Sequence, residues 1–412
     1  MLFGGALLAL AGCPRRGGDG PRLPAAGWTL EAAALGAHQV RGAALVGPDA
    51  VVVATAARVR RIGKDGAVAW TREVGAAAGA LAIDGDVVLV AVGGPTGSTP
   101  PVPSLEGNLR GEPGAALVAL GAEDGEVRWA LGAGSTRWAI VSAVAPAGDG
   151  FLVGGSFAGT LRVGAQTVTA AGGADGFVAS VDRAGAVRWL RRMGGDQGDA
   201  IAGVVALGGG RVAIAGTFTG PAELGEGELV AVAAKSLAAD GFVAVLEPDG
   251  TLAWSRTFGG GREDTCAGVA ALAGGAVAVA ATVRGEVDVA GRRLEARGAA
   301  DGLVAVFAPD ASVRSAWLVG GDDFDGIAAI AAGGPASDQL VIAGWFTGAL
   351  PTGQRADGID DVYVAVGAAT GPASLQPLPS PAPASVSALT AARTGFVFAV
   401  HTTEPRLIVR GF

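Results

Sequence analysis

The sequence predicts an all-β chain folded into a closed ring of four-stranded antiparallel sheets, and three observations carry that prediction. Trp70, Trp129, Trp189, Trp254 and Trp317 recur at gaps of 59, 60, 65 and 63 residues, a spacing that marks a repeat architecture. Each closes a similar phrase: KDGAVAW, AEDGEVRW, DRAGAVRW, PDGTLAW and PDASVRSAW. Short apolar runs punctuated by glycine-rich turns fill the intervals, as strands and tight turns require. Four such strands per period make the blade of a β-propeller.

Taken from the N-terminus, residues 1–12, MLFGGALLALAG, form an apolar run too short for a bilayer, which needs about 20 residues. The run has the apolar core and small-residue end of a secretory signal, although Met1 is followed directly by Leu2 and Phe3 without a basic residue. Leu10, Ala11, Gly12 and Cys13 resemble the bacterial lipobox. That resemblance implies a lipid on Cys13 and removal of residues 1–12. Residues 13–26, which include PRRGGDGPRLPA, are rich in Gly, Pro and Arg and read as a flexible tether. The folded domain is expected over 27–412.

Residues 200–261 show one blade in full. Ile201–Leu207 and Arg211–Ala215 are strands joined by Gly208, Gly209 and Gly210; a weaker hairpin covers Glu223–Val232. Phe242–Leu246 is the third strand, Glu247-Pro248-Asp249-Gly250 a turn with its expected residues, and Thr251–Phe258 the tryptophan strand. Similar units fall at about 38–75, 76–134, 138–198, 199–262, 263–322 and 323–379. The C-terminal remainder supplies three strands, Ser385–Ala391, Gly395–His401 and Arg406–Arg410. Its missing fourth strand is the orphan Gly27-Trp28-Thr29-Leu30. Pairing the two ends completes a seventh blade and leaves no open first and last edge.

Over residues 138–366 the chain resembles the SBBP, or seven-bladed β-propeller, repeat family. The resemblance rests on Gly155-Ser156-Phe157-Ala158-Gly159, Gly216-Thr217-Phe218-Thr219-Gly220 and Gly344-Trp345-Phe346-Thr347-Gly348. It rests also on Asp175-Gly176-Phe177-Val178-Ala179 and Asp240-Gly241-Phe242-Val243-Ala244, and on a double glycine with a trailing acid: Gly194-Gly195 with Asp199, Gly259-Gly260 with Asp264, Gly320-Gly321 with Asp325. In the first blades, Ala119-Leu120, Glu123-Asp124-Gly125 and Trp129 look more like a PQQ-type propeller repeat. Both resemblances imply a propeller, a scaffold that hosts many functions.

Composition limits the chemistry. The hydrophobic half of the chain is ample for a large core, and a net charge of −8 without a basic stripe argues against nucleic acid as a partner. Cys13 lies in the leader and Cys266 stands alone, so the mature chain has no internal disulfide; Cys266 reads as a small buried hydrophobe. The repeated Trp is expected to pack between blades. Asp175, Asp240, Asp301 and Asp361 are expected to bond their own turns.

Asp199, Asp264 and Asp325, with Glu263, Asp322 and Asp323 near them, should face one rim of the channel. Such a rim is a candidate cation or ligand site, suited to calcium with its 6–8 oxygen ligands; the alternative is one turn-capping carboxylate per blade. His38 and His401 fall in the closing seam, Tyr363 takes a core position, and Trp138 and Trp345 depart from the repeat. Gly93–Pro113 is a long irregular loop expected on the same rim as the acids. No catalytic residue is assigned and no cofactor is required. The sequence reads as a lipid-anchored bacterial envelope propeller, a non-catalytic binding or assembly scaffold for an envelope protein or glycan. A propeller enzyme, quinoprotein-like or hydrolytic, and a purely structural surface protein remain as alternatives.

Overall fold

The computed structural model describes residues 26–31, 40–55, 57–74, 78–93, 114–224, 229–231, 238–333, 337–351, 353, 355–356, 361–378, 384–392, 395–401 and 406–411. They form seven antiparallel sheets, the blades of a β-propeller. Blade one runs outward as Gly42–Leu45, Ala50–Ala54, Arg58–Gly63 and Val68–Glu73. The inner strands of the next six are Ala78–Asp84, Trp138–Pro146, Ala200–Ala206, Thr265–Ala271, Asp325–Ala332 and Ser385–Ala392.

The sequence pattern explains the layering. Middle strands are nearly continuous apolar runs because neighbouring blades cover both of their faces: every residue of Gly114–Gly121 and Asp240–Leu246 is buried. Val68–Glu73, at the outer edge, alternates exposed and half-buried residues. Among the described residues the apolar core divides into seven clusters, one per seam between adjacent blades. Burial between blades, rather than within one central core, therefore holds the ring.

The predicted closure is present. Ala26–Leu30 pairs antiparallel with Arg406–Gly411, Trp28 opposite Val409 and Leu30 opposite Leu407. Leu30 is buried with Val40, Ile62 and Val409 in the seam between blades seven and one.

Four strands per blade holds for four sheets only; blades two, three and four each contain six. The extra pair is a hairpin inserted between the second and third strands of the following blade. Thr160–Val163 and Gln166–Thr169, from blade three, extend the outer strand Val127–Ser135 of blade two. Ala222–Leu224 and Leu229–Ala231 extend Val187–Gly194, and Glu286–Val289 and Arg292–Glu295 extend Leu252–Gly260. The hairpin expected over Glu223–Val232 is thus part of a strap onto the preceding blade. An outer strand offers unpaired backbone groups, and the hairpin satisfies them. The second glycine of each pair marks the crossing: a Cβ on Gly195 would stand 1.9 Å from Pro221 O, and one on Gly260 2.0 Å from Glu286 O.

Candidate functional site

The links between blades share one face, here the upper face, with the connections between second and third strands. Asp199, Asp264 and Asp325 end three of those links, immediately before or at the start of an inner strand. Each is almost fully buried. Asp199 accepts hydrogen bonds from Gly195 N at 2.8 Å and Thr219 N at 3.1 Å; Asp325 accepts from Gly321 N at 2.5 Å and Thr347 N at 3.1 Å. Asp264 accepts from Arg284 N at 2.9 Å. These carboxylates staple each link to the second strand of its own blade, the backbone-bonding alternative to a ligand rim.

A second acid lies beside each staple. Asp199 N, Asp264 N and Asp325 N donate to Ala174 O, Ala239 O and Ala300 O at 2.8, 2.8 and 2.9 Å. This sets each acid against the neighbour of Asp175, Asp240 or Asp301, the residues that open the third strands. Arg192 Nη1 lies 2.8 Å from Asp175 Oδ2. The places opposite Phe242 and Leu303 that correspond to Arg192 are Thr257 and Leu318, so those two pairs have no arginine there. Burial pushes Asp199, Asp240, Asp264 and Asp325 up to about 6, and burial also raises Asp301. Asp240 adds to the rise at Asp264, as Asp301 does at Asp325. Oδ1 of Asp240, Oδ2 of Asp264 and Oδ1 of Asp301 are buried without a hydrogen-bond partner.

The six predicted rim acids therefore divide rather than converge. Asp199, Asp264 and Asp325 are buried in separate seams, whereas Glu263, Asp322 and Asp323 are exposed. Glu263 Oε2 is 4.0 Å from Arg284 Nη1. Among the described residues no three His, Cys, Asp or Glu side chains group closely enough to hold a metal ion. What the sequence reading missed is the residue between the exposed and buried acids. Phe324 is 37% exposed, and the Arg284 guanidinium lies 5.4 Å from its ring centroid. The corresponding places in the other two links are Gly198 and Glu263; an aromatic there was the available signal.

Inner strands line the channel, whose cavity of about 240 Å³ has Arg41 as its only charged wall residue among the described residues. Ser142 Oγ donates to Ile201 O and Ser387 Oγ to Val40 O, both at 2.6 Å, which ties successive inner strands together. Tyr363 is fully buried and donates to Gly326 O at 3.0 Å. Cys266 is a buried free thiol that burial pushes up to about 12. Trp138 and Trp345 are half-buried. Residues 1–25, with Cys13, lie outside the described residues, as do His38, the side chain of His401 and residues 94–113. The flanks of that loop are the second and third strands of blade two, Val87–Gly93 and Gly114–Gly121.

No protein-family model matches the chain, and no curated protein matches it. Among solved structures, BamB from Moraxella catarrhalis is similar at 14% identity over 95% of this chain and 100% of that one, with a TM-score of 0.47. The Pan2 WD40 domain of Neurospora crassa is similar at 9% identity over 95% of this chain and 96% of that one, with a TM-score of 0.52. Identities this low show the fold alone.

Proposed function

We propose that this chain is a lipid-anchored bacterial envelope propeller that works as a non-catalytic binding or assembly scaffold, with its upper face as the docking surface. The observation that carries the reading is Phe324, exposed beneath Arg284 and flanked by the exposed acids Glu263, Asp322 and Asp323. Aromatic residues and arginine are the side chains most enriched at protein interfaces and their energetic centres. The strongly shifted carboxyls nearby support the same reading, because backbone amides already occupy Asp199, Asp264 and Asp325.

Chain direction supports the address. Leu30 leads through the link into blade one and so marks the upper end of the closing strand; Ala26 marks the lower end. A tether from a lipidated Cys13 would join the disc at Ala26 on its lower face, the face opposite Phe324. The lipobox, the tether and the SBBP-like and PQQ-like repeats agree with an envelope location, and a scaffold of this kind needs no cofactor.

A photo-crosslinking residue placed at position 324 in cells tests the reading, with a lower-face position as control. The expected result is one reproducible envelope partner, diminished by Arg284→Ala, together with release of the protein from membranes by Cys13→Ser. No crosslink at 324 above the control, or turnover of a soluble substrate by the purified chain, would overturn it.

A further inference from the structure

The lower face carries the turns between first and second strands and those between third and fourth. Gly125, Gly185 and Gly250 occupy one position of the latter turns, with φ of 66°, 90° and 84°. In three seams the tryptophan of the preceding blade rests on that glycine. A Cβ there would stand 2.6, 2.8 and 2.9 Å from the rings of Trp70, Trp129 and Trp189. Each indole N–H then donates to a carbonyl of the same turn: Ala122 O at 3.1 Å, Arg183 O at 2.7 Å and Pro248 O at 2.9 Å.

The seam between blades four and five breaks this pattern at one residue. Where blade four has Pro248-Asp249-Gly250, blade five has Pro309-Asp310-Ala311. The turn is otherwise the same: Ala311 N donates to Ala308 O at 2.9 Å, as Gly250 N does to Glu247 O. Ala311 holds a φ of 65°, strained for a residue with a Cβ, and its methyl stands where an indole would rest. Trp254 packs against Phe307 instead, with centroids 6.2 Å apart at 42°. Beside it opens a cavity of about 300 Å³ walled by Trp254, Leu207, Val245, Pro309, Arg211 and the glycines of two turns.

We propose that this cavity binds a pyranose sugar ring. Its volume matches the lower end of ligand pockets, about 300–1,000 Å³, room for one ring. The half-buried indole offers a negative π face to the positively polarised C–H face of a sugar. Arg211 supplies a polar edge held in place, with Nε 3.1 Å and Nη2 2.6 Å from the carboxylate of Glu247. Gly208 and Gly274 have nothing within 4 Å of where a Cβ would be, so hydroxyl groups can reach their backbone. An apolar guest would use the indole alone, whereas a sugar hydroxyl can also accept from the guanidinium N–H groups that Glu247 does not take. The site lies on the face opposite Phe324 and does not depend on the scaffold reading.

The test follows the Trp254 indole N–H in the ¹⁵N-labelled full chain during titration with methyl β-glucopyranoside, N-acetylglucosamine and, separately, an oligoproline peptide. The expected result is a saturable shift with at least one sugar, lost in Trp254→Ala. Ala311→Gly restores the Pro-Asp-Gly turn, lets the indole dock on Pro309 O, and should weaken sugar binding by about tenfold or more while raising Tm. That variant relieves strain, so it keeps the test decisive even where Trp254→Ala fails to fold. No shift with either sugar up to ~50 mM, unchanged affinity in Ala311→Gly, or a response to oligoproline alone would overturn the proposal.

Discussion

Two arcs of the ring hold their blades together by different means. The outer strands of blades two, three and four are each strapped by a hairpin from the next blade, and each of the three links beyond the double glycines, from blade three through to blade six, carries a buried acid pair. Among the described residues the closing arc, from the outer strand of blade six through blade seven to blade one, shows neither: the link after Leu378 reads PSPAPA, without a double glycine or an acid. It relies on Ala26–Leu30 laid against Arg406–Gly411. Strapping joins residues close in sequence, such as Gly260 and Val287. Closure joins Ala26 to Arg410 across nearly the whole chain. Loop entropy grows only with the logarithm of length, so closure costs about 2 kcal/mol more than a strap. The arcs differ less in the cost of pairing than in how many independent contacts secure each one.

That difference is broken most directly at the closing strand. Deleting residues 26–31 exposes the edge of Arg406–Gly411 and removes buried Leu30, whose side chain alone contributes about 1.5–3 kcal/mol. The expected result is the largest loss of urea midpoint among the variants described, with amide exchange faster in blades seven and one than in the strapped arc. Equal exchange in both arcs would mean that the ring opens as a single unit.

A smaller effect is expected at a strap. Gly260→Val puts a side chain onto Glu286 O and must push the hairpin away, at a cost of about 1–3 kcal/mol. Gly261→Val is its control, because nothing lies within 4 Å of a Cβ there. Protection of the Val287 and Val289 amides should fall in the first variant and persist in the second. Equal stability of the two variants would show that the straps add little.

The closing strand was legible because an unmatched tryptophan phrase at one end answers a three-stranded remainder at the other. Blade limits were legible because a recurring Trp and turn glycine keep a fixed phase. The straps were not: alternation in TLRV and QTVT reports a strand, but not which edge it joins. Buried acids and metal-ligating acids share the same letters, so Asp264 reads as either until its backbone donors are located. Phe324 is a single aromatic within a polar link, and its exposure depends on how Arg284 lies over it. Ala311 differs from its glycine counterparts in the sequence itself, yet the consequence appears only once Trp254 is placed beside the turn.

The smallest effect separates the arcs by charge. Burial raises Asp199, Asp240, Asp264 and Asp325 to about 6, above their ordinary value of 3.8. Raised carboxyls bind protons more tightly in the folded state, so the stability they add is full below about pH 4 and is lost as pH rises through about 6. Over that window the strapped arc should tighten on mild acidification from pH 8 towards pH 5, while the closing link, which has no such acids, gains nothing from this source. Asp240→Asn removes one of the two facing charges in a seam that has no counterpart of Arg192. It should stabilise the chain by about 1–2 kcal/mol at pH 8 and by little at pH 5, since neutral burial is far cheaper than charged. Urea unfolding of both proteins at the two pH values checks this. A wild-type stability that falls steadily from pH 8 to pH 5 would show that the seam carboxylates are held ionised, and the charge contrast between the arcs would be lost.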